Sequence, residues 1–256
     1  MTIKKNKTII AILATTLLAL LLSGECTAQD DDALFQVSTI DALMQGVFDG
    51  FYSINDLEAQ GDFGIGTFHA LDGDYYQVKA DGVAYPVQGN MTAPFAAVTR
   101  FEVDQTAAVQ DAGNFTELAR QLDRHLPSRN AFYALRIDGT FPYVQTRSVP
   151  AQEKPYPRLA EAVENQSVFN FTNVIGSVVG IWAPEFAKGV NVPGYHLHFI
   201  TEDRKAGGHI LDIQVANATA QVDVTAGFAM QLPTSGDFYE VDLTGDLQEE
   251  LEKIEK

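Results

Sequence analysis

The chain has a single cysteine, Cys26, in 256 residues. A disulfide within the chain is therefore excluded, and the fold must rest on its apolar core. Positive charge is also scarce. Lys and Arg number 17 against 34 Asp and Glu, giving a net charge of −17 and a pI near 4.5. A surface of that sign repels phosphate, so nucleic acid is not an expected partner. Long apolar runs are missing apart from Ile9 to Leu22. That run is too short to cross a bilayer comfortably, so no membrane span is expected. There is no internal repeat and no low-complexity tract.

What is present starts with a basic N-terminus, Lys4, Lys5 and Lys7, followed by that apolar run and then small and polar residues up to Ala28. This is the pattern of a bacterial export signal over residues 1–28, with cleavage near Ala28 and a secreted or cell-surface product. Leu22-Ser-Gly-Glu-Cys26 leaves a second option, a lipid anchor at Cys26. The remaining chain, with 46% hydrophobic residues overall, is long enough for one large domain or two smaller packed ones.

Strand signals dominate and short helices punctuate them. An amphipathic helix is expected from Ser38 to Phe48, capped by Ser38, and another from Thr116 to Leu126. Asp62 to Phe68, Tyr75 to Lys79, Val83 to Val87 and Phe95 to Val103 read as strands. Asp138-Gly139 reads as the turn of a hairpin joining Ala131–Ile137 to Thr140–Val149. On its second strand Phe141, Tyr143, Gln145, Arg147 and Val149 would share a face. Arg147 there calls for an anion, either a buried carboxylate in a structural ion pair or the carboxylate of a substrate. The proline-rich run from Pro150 to Arg158 suggests a boundary, with a mixed-sheet domain over 29–155 and a β domain over 156–256 that ends in an acidic helix. The fold class expected is α/β with α+β character: two domains, one a mixed sheet and one largely antiparallel.

Three of the five histidines fall in one stretch, Tyr195-His-Leu-His-Phe followed by His209. Side chains alternate along a strand, so His196 and His198 share a face. Gly207-Gly208 reads as the turn, and His209 falls on the partner strand, sharing the inward face with Ile213 and Val215. One inward histidine is ordinarily a hydrogen-bonded core residue. Three converging imidazoles are what a catalytic metal site needs, with one position left open.

Several stretches together resemble the bacterial α-acetolactate decarboxylases. They are Leu34-Phe-Gln-Val-Ser-Thr, Asp62-Phe-Gly-Ile-Gly-Thr-Phe, Arg136-Ile-Asp-Gly-Thr-Phe, Val144-Gln-Thr-Arg-Ser-Val-Pro-Ala-Gln-Glu-Lys-Pro-Tyr-Pro, Gly194-Tyr-His-Leu-His-Phe and Gly207-Gly-His. The resemblance implies a homodimeric enzyme that converts (S)-2-acetolactate, a small 2-hydroxy-3-oxo acid, to (R)-acetoin and carbon dioxide. Decarboxylation would be metal-assisted, with stereospecific protonation of an enediolate. It implies Zn2+ on His196, His198 and His209, catalytic roles for Arg147 and the C-terminal Glu255 (Glu252 being the neighbouring alternative), and Thr67 in the substrate pocket. One departure stands out: Leu71-Asp-Gly runs straight into Asp74, where the family carries a longer segment with a glutamate. Asp74 either replaces that glutamate or belongs to the turn that follows it. Two other readings of the same trio are a secreted zinc hydrolase and a non-catalytic, metal-dependent binding lipoprotein.

Overall fold

The structure is a computed structural model that describes residues 32–255. The expected export signal and Cys26 lie outside the described residues. Among the described residues no helix is long and apolar enough to cross a membrane.

The described chain opens with β1 (Ala33–Val37) and α1 (Ile40–Met44), then β2 (Tyr52–Ser53) and α2 (Ile54–Glu58). Six strands follow: β3 (Phe63–Gly66), β4 (His69–Leu71), β5 (Asp74–Val78), β6 (Ala84–Pro86), β7 (Thr92–Ala93) and β8 (Ala96–Thr99). Next come β9 (Gln105–Ala112), α3 (Phe115–Leu122), β10 (Phe132–Ser148), α4 (Leu159–Val163) and β11 (Ser167–Ala183). The chain finishes with β12 (Gly194–Thr201), β13 (Gly207–Thr225), β14 (Gly227–Gln231) and α5 (Gln248–Ile254). Seven strands form one mixed sheet in the order β14-β1-β8-β3-β4-β5-β6, with β14 and β1 parallel. A second, antiparallel sheet runs β10-β11-β12-β13-β9, and β10 also pairs with β13. The four strands β10 to β13 are thereby ladder-bonded in a ring.

An apolar layer with Leu34, Phe63, Ile65 and Ala97 from the first sheet and Ala134, Val179, Ile181 and Ile200 from the second joins the two. The other face of the second sheet carries Leu135, Ile137, Phe141, Leu197 and Phe199, covered by Leu118 and Leu122 of α3. A smaller cluster docks the last helix: Leu251 and Ile254 pack with Ile40, Met44, Phe95 and Val192. Burying two such side chains contributes about 1.5–3 kcal/mol each, enough to hold a helix too short to be stable alone.

Several local expectations are corrected. Asp138-Gly139 is not a turn: β10 runs through it unbroken, with Asp138 opposite Ser177 and Thr219. The glycine serves close approach, since a Cβ on Gly139 would lie 2.5 Å from the Asn217 carbonyl oxygen and the Ala218 Cβ. Gly207-Gly208 is likewise inside β13, and the connection is 202–206. The helix after β1 is capped by Thr39, which accepts from the Ala42 N–H, while Ser38 takes a left-handed φ of 61°. The division expected at 155/156 does not separate the sheets. Strand β10 lies before it and pairs with β11 and β13 after it, and β14 returns to pair with β1.

Two predictions follow from this packing. Gly139→Ala should destabilise the protein by about 1–3 kcal/mol through overpacking against β13, read by denaturant unfolding; an unchanged midpoint would contradict the continuous strand. Asp223, on β13, is 1% exposed, and burial pushes its pKa up to about 7. An acid whose pKa is raised on folding costs nothing below the unfolded value of 3.8 and progressively more as pH rises towards 7. Asp223→Asn should therefore stabilise the fold at pH 8 by on the order of 2 kcal/mol and have little effect near pH 4.

Candidate metal centre

Strand β12 sends Leu197 and Phe199 into the α3-covered core, so its alternate residues His196 and His198 face the other way. His209 is paired directly with His198 in the β12–β13 ladder and with Arg147 in the β10–β13 ladder. Directly paired residues of antiparallel strands point to one face, so the ladders set all four side chains side by side. His209 reaches that face through a bulge. Thr146 pairs with Ile210 but Gln145 with Asp212, which leaves Leu211 unpaired. Ile213 and Val215 therefore join the α3-side core while His209 faces away from it, contrary to the shared face expected. Phe141 does not share the face of Arg147 either: Phe141 and Val144 both lie in that core, and Pro142 between them is left out of both ladders with the register unchanged.

The three imidazoles offer nitrogens that all lie within 4.8 Å of one another. His196 Nε2 and His198 Nε2 are 3.2 Å apart. Glu255, just past α5, brings Oε2 to 3.6 Å from His209 Nε2 and 3.8 Å from His196 Nε2. Both Glu255 Oε2 and His209 Nε2 are buried without a hydrogen-bond partner. A tetrahedral ion with ligand distances near 2.0–2.1 Å needs ligand atoms about 3.3 Å apart. The cluster is close to that spacing, and its orphaned atoms are what such an ion would satisfy, so the residues fit a divalent metal.

Electrostatics agree. Burial pushes the pKa of each trio histidine below the usual value. Arg147 reinforces the shift at all three, and the Glu255 carboxylate opposes it at His196. Neutral imidazoles are the form that binds a metal. Burial also pushes the Arg147 guanidinium below its ordinary range, and the Glu255 carboxylate counters that; a guanidinium stays protonated regardless. Its Nη2 donates to Glu255 Oε1 at 3.3 Å and its Nη1 to Gln166 Oε1 at 3.4 Å.

A cavity of about 820 Å³ opens over this cluster. The trio, Arg147, Glu255 and Thr67 all line it. Asp74 does not: it is exposed at the start of β5, next to a two-residue turn in which Asp72 and Gly73 have φ of 57° and 83°. The segment is thus a tight hairpin, and Asp74 brings no carboxylate to the cavity. Glu252 accepts from Gln248 on the exposed side of α5, so the C-terminal carboxylate at the centre is Glu255. One residue had no sequence signal: His69 on β4, 3% exposed, with its ring 4.7 Å from that of His198. A single histidine in a strand gives no spacing to read. Only the packing of the first sheet on the second brings it to the trio.

A mixed α/β fold that closes buried histidines, a carboxylate and an arginine around one cavity defines an enzyme built on a metal-capable centre. The particular family follows from comparison with known proteins. The family model for alpha-acetolactate decarboxylase matches residues 34–245. An alpha-acetolactate decarboxylase of Methanosarcina mazei is 58% identical over 232 residues, 88% of this chain and 81% of that protein. One from Bacillus subtilis strain 168 is 41% identical over 230 residues, 87% of this chain and 90% of that protein. The crystal structure of alpha-acetolactate decarboxylase from the same strain superposes with a TM-score of 0.84 at 39% identity, covering 87% of this chain and 98% of that one. The chain belongs to the alpha-acetolactate decarboxylase family.

His196→Ala should abolish stoichiometric metal in the purified protein, measured by elemental analysis, while leaving the fold intact by circular dichroism. Metal retained at the parent's stoichiometry would remove His196 from the ligand set.

Proposed function

We propose that the chain decarboxylates (S)-2-acetolactate to (R)-acetoin and carbon dioxide, with Zn2+ held by His196, His198 and His209. The carrying observation is the convergence of the trio, Arg147 and Glu255 on one cavity in a chain of this family. Acting as a homodimer and export to the cell surface or medium after cleavage near Ala28 are part of the same reading. The first is implied by the resemblance and the second is supported by the N-terminal pattern.

A divalent ion held by His196, His198 and His209 would supply Lewis acidity for the decarboxylation. The chain's own residues do the rest. Arg147 binds the substrate carboxylate through its guanidinium and orients the bond that breaks. Its contact with Glu255, at 3.3 Å, is long for a charge-assisted hydrogen bond, leaving donors for a second anion. Glu255 is the carboxyl nearest the trio, with one oxygen on Arg147 and the other facing the histidines. From there its carboxylate is placed to pass the proton taken up from solvent in each turnover to the carbon that loses carbon dioxide, on one face only. Asp81 also lines the cavity, but it is exposed and accepts from the Val83 N–H and the Tyr85 hydroxyl. Thr67 shapes the pocket wall. Burial of the histidines keeps water from competing for their nitrogens.

The test is acetoin formation from racemic acetolactate by purified, metal-analysed protein, beside a panel of esters and lactones. Metal-dependent acetoin of one configuration is expected. Arg147→Ala should lower kcat/KM by about a hundredfold or more. Ester or lactone hydrolysis without acetoin would establish the zinc hydrolase instead, and metal uptake with no turnover would establish the binding lipoprotein.

A further inference from the structure

Arg147 is the buried cation of the centre, and its two terminal nitrogens meet different acceptors. Nη2 donates to Glu255 Oε1 at 3.3 Å, and Nη1 donates to Gln166 Oε1 at 3.4 Å. Glu255 has a part in the reaction above and Gln166 has none. Gln166 is half-buried and is not part of the cavity wall, so it does not touch a substrate there. It reaches Arg147 because Arg147 is paired with Val168, and the residue two before Val168 lies diagonally across the ladder. The Gln166 N–H donates to the Val163 carbonyl oxygen at 3.0 Å, which ties it to the last turn of α4. That helix packs Leu159, Ala160 and Val163 on the same apolar cluster that seats Leu251 and Ile254 of α5. Arg158, just before α4, pairs with Glu250 of α5 at 2.9 Å. One apolar cluster therefore delivers both acceptors to Arg147, each from just past the end of a short helix.

The two acceptors differ in charge. A carboxylate on each terminal nitrogen would more than neutralise the guanidinium and would repel the carboxylate of an incoming substrate. An amide oxygen fixes a guanidinium nitrogen and leaves its charge in place. We propose that Gln166 is a positioning residue for carboxylate binding: as a neutral acceptor outside the cavity, it holds the Arg147 guanidinium in place and leaves its charge for the substrate. The inference rests on the reading of Arg147 as the group that binds the substrate carboxylate.

The test compares the parent, Gln166→Glu and Gln166→Met, each zinc-loaded and checked for folding by circular dichroism. Glutamate keeps the acceptor and adds a charge; methionine keeps the length and removes the acceptor. With acetolactate, Gln166→Glu should raise KM by about tenfold or more with a much smaller change in kcat. Gln166→Met should lower kcat/KM by about three- to tenfold. A purely structural acceptor predicts otherwise, since glutamate would bond Arg147 more strongly and do no harm. Parental KM in folded Gln166→Glu overturns this inference alone. A second measurement needs no turnover: calorimetric binding of 2-hydroxy-2-methylpropanoate, a 2-hydroxy acid with no ketone. Gln166→Glu should weaken it by a similar factor, and an unchanged Kd overturns the inference. A parent that binds this acid but makes no acetoin overturns the reaction, and the ratio of Kd values still decides the role of Gln166. A parent that neither binds it nor turns over acetolactate overturns both.

Discussion

His209 is paired on one side with His198 and on the other with Arg147, and these two register contacts align the centre. They belong to different ladders, so both are met only because β10 to β13 bond in a ring. A slip of one residue in either ladder would turn His209 or Arg147 into the α3-side core. The bulge at Leu211 is what makes the two registers compatible: it lets β13 keep Ile213 and Val215 in the core and still present His209 to the opposite face. Gly208, with φ 139° and a virtual Cβ 2.5 Å from the Arg147 carbonyl oxygen, allows the strands to approach closely beside the histidine.

The buried Arg147 cation needs an anion, and the chain supplies it from its far end. Glu255 reaches the trio because Leu251 and Ile254 seat α5 on Ile40, Met44 and Phe95. Apolar contacts on one side of a short helix thus set the position of a carboxylate. Ion pairs between Arg158 and Glu250 and between Lys188 and Asp246 add little stability on an exposed surface but favour the same seating. Arg147, buried next to three neutral imidazoles, is tolerable because Glu255 shares its charge.

Much of this centre is legible in the residues themselves. Alternation puts His196 and His198 on one face, a hairpin returns His209, and the stripe of Leu247, Leu251 and Ile254 marks the inner side of the last helix. What misleads is local chemistry overridden by long-range pairing. Asp138-Gly139 carries the residues of a two-residue turn, yet the ladders on both sides of β10 outweigh it, and the glycine is needed for strand approach. The bulge at Leu211 and the break in pairing at Pro142 change which face a residue takes, and period-two counting cannot see either. His69 and the sharing of both sheets across Pro150 depend on contacts far apart in sequence, which composition and spacing do not encode.

The central claim is that three imidazoles and one C-terminal carboxylate surround a single ion. Crystallography of the zinc-loaded protein with anomalous data at the zinc edge tests it most directly. One full-occupancy peak is predicted about 2.0–2.1 Å from nitrogens of His196, His198 and His209, with Glu255 Oε2 facing it. A peak elsewhere, or none at these nitrogens in protein that contains zinc, would contradict the account.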